Sequence, residues 1–299
     1  MLGFAKFRRS LVVCDRPSAF GTHGVKMKKI ILATAAAMLL SSTANATVLF
    51  YQEGFSNNLY SYDTDTATET LVGDLGLGAD STGLSFGLNG ALYAFERASQ
   101  SLYTINTATA AATLVGNAGI GAEDFTISLD GTQGFATASG SLYSIDLATG
   151  GSTLIGATSP TLDGLTTALT DVTINGSMFA AGSIFGVDSG DIFSVDVLTG
   201  ASSLLGSSSG VNEALAFGSD GFLYGYTGGG LNTIDLDTFA STQIFDGTPG
   251  NVFGLAAQTN RSVGAVPEPA TWAFMIFGFG AIGGAMRRQR KANVKVSYA

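Results

Sequence analysis

The 299-residue chain is 45% hydrophobic, only 12% charged and carries 41 glycines, which excludes a disordered polyelectrolyte and supplies ample apolar material for a core. Its 14 Lys and Arg against 23 Asp and Glu give a formal charge of -9, a balance that argues against nucleic-acid binding through phosphates. The basic residues crowd the two ends: within residues 47–265 only Arg97 and Arg261 stand against 21 acids, a net of -19. That stretch also lacks cysteine, histidine, lysine and tryptophan.

Taken in chain order, Met27-Lys28-Lys29 leads into an apolar run over residues 30–40 and then Ser41-Ser42-Thr43-Ala44-Asn45-Ala46. This positive, apolar, small-residue order predicts a secretory signal peptide over 27–46, cut by signal peptidase after Ala44-x-Ala46 to leave Thr47 as the new N-terminus. The run is too short to span a bilayer by itself. Residues 1–26 read as an extension from a wrongly chosen start codon. Arg8-Arg9 does not make a twin-arginine signal, because Cys14-Asp15-Arg16-Pro17 interrupts the apolar stretch that such a signal requires. An exported body without cysteine has no disulfides, so its stability rests on its core.

The body, residues 47–265, repeats one unit five times. Leu59-Tyr60-Ser61-Tyr62-Asp63, Leu102-Tyr103-Thr104-Ile105-Asn106, Leu142-Tyr143-Ser144-Ile145-Asp146, Ile192-Phe193-Ser194-Val195-Asp196 and Leu231-Asn232-Thr233-Ile234-Asp235 are variants of one pentapeptide. Three residues after each Asp or Asn stands Thr66, Thr109, Thr149, Thr199 or Thr238, and ten after it stands Gly73, Gly116, Gly156 or Gly206, with Phe245 in the fifth copy. A unit of about 44 residues is the length of a four-stranded propeller blade. The period-two alternation suits half-buried strands. Asn89-Gly90, Asp130-Gly131, Asn175-Gly176 and Asp220-Gly221 predict type I′ hairpins between first and second strands. Asp146 to Gly150 and Asp196 to Gly200 suit a longer turn between third and fourth strands, with glycine left-handed. Unit one starts at once with a second strand, Val48-Leu49-Phe50-Tyr51, while Val252-Phe253-Gly254-Leu255-Ala256-Ala257 at the far end resembles the first strands. The expected fold is therefore all-β, a five-bladed β-propeller of four-stranded antiparallel blades, with the C-terminal strand closing blade one and removing exposed edges. An open β-solenoid is the alternative.

At the C-terminus, Val266-Pro267-Glu268-Pro269 precedes Ala270-Thr271-Trp272-Ala273 and an uncharged stretch that runs to Met286, then Arg287-Arg288-Gln289-Arg290-Lys291. Residues 270–286 are just long enough for a transmembrane helix, with 292–299 a short cytoplasmic tail behind the basic cluster. Pro267, Glu268, Pro269, Trp272, the glycine-rich Phe277-Gly278-Phe279-Gly280 and the terminal Arg287 and Arg288 resemble the PEP-CTERM sorting domain of Gram-negative bacteria, over residues 266–291. The resemblance implies an exosortase substrate, held in the inner membrane in transit and then placed at the cell surface or outside, in species that make exopolysaccharide. Many members stop at the basic cluster, whereas this chain continues to Ala299.

For the body, the fourth unit is enlarged by two segments, 157–167 and 181–190, that are expected on the face carrying the strand two–three loops. Asp163, Asp188, Asp191, Glu123, Asp124 and Arg97 are the candidate ligand residues there, although ordinary solvated loops are polar in the same way. No Ser-His or Ser-Lys nucleophile can be built without histidine or lysine, and imidazole or thiolate metal sites are excluded with them. No cofactor is expected. Calcium is the one metal the composition permits, with Asp63-x-Asp65 and Asp235-x-Asp237 as weak motifs that serve equally as Asx turns. The unit resembles several propeller families with unrelated activities, so fold alone does not settle function. The expectation is a non-enzymatic surface or matrix module whose partner is a polysaccharide or another surface protein, the alternative a carboxylate-dependent carbohydrate-active enzyme.

Overall fold

The structure is a computed structural model that describes residues 47–54, 56–78, 81–227, 229–247 and 252–258. The expected signal peptide, transmembrane helix and sorting segment lie outside the described residues. Blade one contains β1 (Val48–Glu53), β2 (Asn58–Asp63) and β3 (Thr68–Asp74). Blade two is β4 (Ser81–Phe86), β5 (Leu92–Glu96), β6 (Ser101–Ile105) and β7 (Ala112–Asn117). Blade three is β8 (Asp124–Ile127), β9 (Gly134–Ala138), β10 (Ser141–Ile145) and β11 (Ser152–Ala157). In the fourth, β12 (Gly164–Thr167) is followed by a separate hairpin, β13 (Val172–Ile174) and β14 (Ser177–Phe179), before β15 (Ile184–Asp188), β16 (Asp191–Val195) and β17 (Ser202–Ser207). Blade five is β18 (Val211–Phe217), β19 (Leu223–Thr227), β20 (Gly230–Ile234) and β21 (Ser241–Asp246). The last strand, β22 (Val252–Ala257), pairs antiparallel with β1, setting Ala257 opposite Leu49 and Leu255 opposite Tyr51, so the first sheet runs β22-β1-β2-β3. The result is an all-β propeller of five four-stranded antiparallel blades. Among the described residues no helix is long and apolar enough to cross a membrane.

The repeated pentapeptide is a sandwich device. Its first and fourth positions are separated by three residues, an odd step, so they point to opposite faces of the third strand. Leu102 and Leu142 pack toward the following blade while Ile105 and Ile145 pack toward the preceding one, and all four are buried. Ile192 and Val195, and Leu231 and Ile234, divide in the same way. These strands are thus covered on both faces, not half-buried as the alternation alone implies. Five apolar clusters fill the five blade junctions, and each blade is stable through its neighbours.

The Asp-x-x-Thr step folds as expected. Asp146 Oδ1 accepts from the amides of Ala148 and Thr149, and the Gly150 amide returns to the Asp146 carbonyl at 2.8 Å. Gly150 and Gly200 take φ of 76° and 79°, and Ala67, Ala110 and Phe239 adopt the same left-handed conformation in the other copies. The closing glycine has a role that spacing does not reveal. A Cβ on Gly116 would lie 1.9 Å from the carbonyl oxygen of Thr149, and one on Gly156 2.1 Å from that of Thr199, so each outer strand runs under the turn of the next blade. Where Phe245 replaces this glycine, its ring packs 4.9 Å from Tyr62 and the blade-one turn residue Ala67 is left exposed. Gly156→Ala is expected to cost about 3 kcal/mol through overpacking against fixed backbone, read as a lowered denaturant midpoint. Gly176→Ala, whose Cβ meets nothing within 4 Å, carries only the backbone strain of its φ of 75° and serves as the control.

Two sequence expectations need correction. Of the four Asn-Gly and Asp-Gly steps, only Asn175-Gly176 has positive φ at both residues. At Asn89, Asp130 and Asp220 only the following glycine is left-handed, and the side chain accepts from the amide of Ala91, Thr132 or Phe222. With Gly90 N–H bonded to Gly87 O and Gly87 N–H to Ala91 O, the first of these is a three-residue turn closed by a glycine bulge, in which the Asn stays at negative φ. The second correction concerns blade four. The crossover between outer and inner strands spans six residues both before β8 and before β12, and β15 joins β16 through Ser189 and Gly190 alone. Segments 157–167 and 181–190 are therefore not enlarged loops on the strand two–three face. The surplus is the β13–β14 hairpin, on the strand one–two side; Asn175-Gly176 caps this insertion, and counting from it placed the surplus on the wrong face.

Candidate functional site

The candidate residues enter from three blades at the end where inner strands begin. Arg97 opens the turn after β5, Glu123 precedes β8, Asp124 is its first residue, Asp163 precedes β12, and Asp188 and Asp191 face each other across the β15–β16 turn. Arg97 and Glu123 form a two-pronged ion pair, 2.6 and 2.9 Å. Burial raises the Asp163 carboxyl above the ordinary aspartate value, with Asp188 and Glu123 adding to the rise and Arg97 opposing it. Five of the six thus share one electrostatic neighbourhood. Asp191 turns away from it and accepts from the Ser207 hydroxyl of the outer strand.

Asp124 differs from the rest. It is 3% exposed, its Oδ2 accepts from the Leu165 amide of β12, and its Oδ1 has no hydrogen-bond partner among the described residues. A Cβ at Gly83 of β4 would lie 2.8 Å from that oxygen. The carboxyl is therefore held among the inner strands of three blades, and burial pushes its pKa well up, with the Leu165 and Phe125 amides opposing and the Asp163 charge adding to the rise. Desolvation without a compensating cation favours the neutral acid. Nearby hydroxyls complete an inner polar seam: Ser85 accepts from the Ile127 amide, Thr126 and Thr167 share a bond of 3.0 Å, and Thr166 accepts from the Phe217 amide.

Sequence reasoning selected Asp124 as a loop residue and missed Glu96. That side chain is 7% exposed and accepts from the Gly78 amide and from the hydroxyls of Ser99 and Tyr103. Its place as last residue of a second strand was the only available signal. The hydroxyl of Thr47, the expected new N-terminus, donates to Asp220 Oδ2 at 2.6 Å, tying the start of the body to blade five, while Ala44 and Ala46 lie outside the described residues. The Asp63 and Asp235 carboxylates accept from the amides of their own turns, and among the described residues no group of three acids, histidines or cysteines is placed to hold a metal.

The cavity along the propeller axis, lined by Ser85, Thr126, Thr166 and their neighbours, measures about 40 Å³, room for roughly two or three waters and no sugar ring. A groove of about 560 Å³ lies at the other end of the blades from Arg97, Glu123, Asp163 and Asp188, between Phe179–Ile184 and Val195–Leu198, with Asp196 in its wall. The inserted hairpin that borders it is itself anchored, with Val172 and Ile174 buried against blade five and the Asn175 amide bonded to Leu236 O.

Residues 265–291 match the PEP-CTERM protein-sorting motif, which implies an exported protein sorted through processing by an exosortase. No curated protein matches the chain. Among solved structures, a chain of a nidogen/laminin complex is similar at 12% identity with a TM-score of 0.49, covering 71% of this chain and 98% of that one. TolB from Acinetobacter baumannii is similar at 15% identity with a TM-score of 0.43, covering 71% and 66%.

Proposed function

We propose that this exported, exosortase-sorted protein presents its propeller as a non-catalytic binding or structural module at the cell surface or in the extracellular matrix, with a polysaccharide or another surface protein as its partner. The sorting motif at residues 265–291 is the observation that carries the reading, since it dictates where the body works. The body's own geometry supports a passive role. Its most perturbed carboxyl, Asp124, is enclosed, and the groove of about 560 Å³ carries a single ionisable side chain, Asp196, whose carboxylate accepts from the Leu198 amide of its own turn. In this reading signal peptidase cuts before Thr47, β22 closes the ring, residues 270–286 hold the precursor in the inner membrane, and Arg287 and Arg288 remain on the cytoplasmic side until processing.

The test is a screen of the exported protein against polysaccharides, scored separately for retention and for new reducing ends. Retention without turnover is expected. New reducing ends that disappear in Asp163→Asn would replace this reading with a carboxylate-dependent enzyme.

A further inference from the structure

Each blade ends in an outer strand whose far edge has no partner among the described strands. Four of them present a leucine at the same register, opposite the aromatic of the third strand: Leu71 across from Tyr60, Leu114 from Tyr103, Leu154 from Tyr143 and Leu204 from Phe193. These leucines are 56–60% exposed. The edges then diverge in charge. β3 carries Glu69 and Asp74, and β21 carries Asp246 with Gln243 in place of the leucine. The three between them read ATLVGN, STLIGA and SSLLGS, without a charge or a proline. Edge strands that avoid pairing usually carry such guards.

We propose that the body associates with further copies of itself through the uncharged outer edges of blades two, three and four, one edge strand pairing with that of another copy. Charge selects this occupant. On a body of net -19 the acids gather at the two ends of the blades, Asp130, Asp146, Asp196 and Asp235 at one and Glu123, Asp163 and Asp188 at the other. Copies that approach by either end meet like charge, whereas the strands at these three edges carry none, the nearest carboxylate at blade four, Asp191, being engaged by the Ser207 hydroxyl. A cationic partner would choose the ends instead. Val115, Ile155 and Leu205 sit in bulges, which leaves only short flat stretches such as Ser152-Thr153-Leu154 for pairing. Each contact is therefore weak, and three per copy build an extended network by multivalency, not a closed dimer. This inference is independent of what the module binds.

The experiment follows molar mass by light scattering over a wide concentration range, using exported protein, the triple variant Leu114→Lys, Leu154→Lys and Leu204→Lys, and Gln243→Lys as the control. The native protein and the control are expected to gain mass with concentration, and more so in added sodium chloride, which screens the repulsion of the bodies. The triple variant is expected to lose all mass above the single chain while melting at the native temperature. Three results would overturn the proposal: native protein that stays a single chain throughout, a triple variant that associates as the native does, or association abolished by a chelator, which would place it at cation-bridged acids.

Discussion

Leu255→Ala is expected to lower the unfolding free energy by about 3 kcal/mol, the usual cost of emptying a well-packed leucine site, while Leu71→Ala stays within about 0.5 kcal/mol as a surface change. Leu255 is 3% exposed and Leu71 56% exposed, although both stand in strands of the same sheet. The asymmetry tests the role given to β22. That strand places Val252, Leu255 and Ala257 in the cluster shared with blade five and Ala256 in the cluster shared with blade two. Deleting it outright removes two large buried side chains at ~1.5–3 kcal/mol each and bares the inner edge of β1, a loss comparable with the marginal stability of most domains. Cooperative melting should vanish. Should the deleted chain melt as sharply and as high as the native one, the strand would be dispensable and the ring closure wrong.

Asp124→Asn is expected to stabilise the protein by about 2 kcal/mol at neutral pH and above, the scale of a buried polar group left unsatisfied, and to leave it nearly unchanged in acid. The sign follows from proton binding. Burial raises the Asp124 pKa, so the folded state retains a proton that the unfolded state releases. Its contribution is complete below the ordinary aspartate value and is lost as pH rises through the folded value. Asparagine keeps an acceptor for the Leu165 amide and cannot ionise. Five turn aspartates act in the opposite sense: hydrogen bonds within their turns hold Asp63, Asp130, Asp146, Asp196 and Asp235 below the usual range, so their support is lost as pH falls. Native stability should therefore peak in mild acid. The variant should lose most of the alkaline decline and keep the acid one, a small slope remaining from Asp163. Parallel profiles for variant and native would show that the Asp124 carboxyl is solvated and its inner-strand placement incorrect.

Blade number, strand order within each blade and the Asp-x-x-Thr turn were legible because each rests on a local pattern repeated five times, in which chance matches cancel. The φ angles at Asn89, Asp130 and Asp220 were not, since the same dipeptide serves two turns that differ only in which residue goes left-handed. The β13–β14 hairpin was hidden for a related reason: its Asn-Gly tip imitates the repeat's own turn. At the acidic end, residue type and approximate face were legible for Arg97, Glu123, Asp163 and Asp188. The burial of Asp124 was not, because it depends on Leu165 and Gly83, residues of other blades that no local pattern connects to it.

The most direct measurement is the mass of the protein recovered outside an exosortase-bearing cell, made for the native chain and for Pro267→Ala, Glu268→Ala and Pro269→Ala combined. The native protein is expected to begin at Thr47 and to lack the apolar stretch at 270–286 with the basic residues behind it. The triple variant should fold, remain unprocessed and accumulate at the inner membrane. Native protein found outside with Arg287 and Arg288 still attached, or a variant that matures normally, would contradict the sorting assignment and with it the surface role of the propeller.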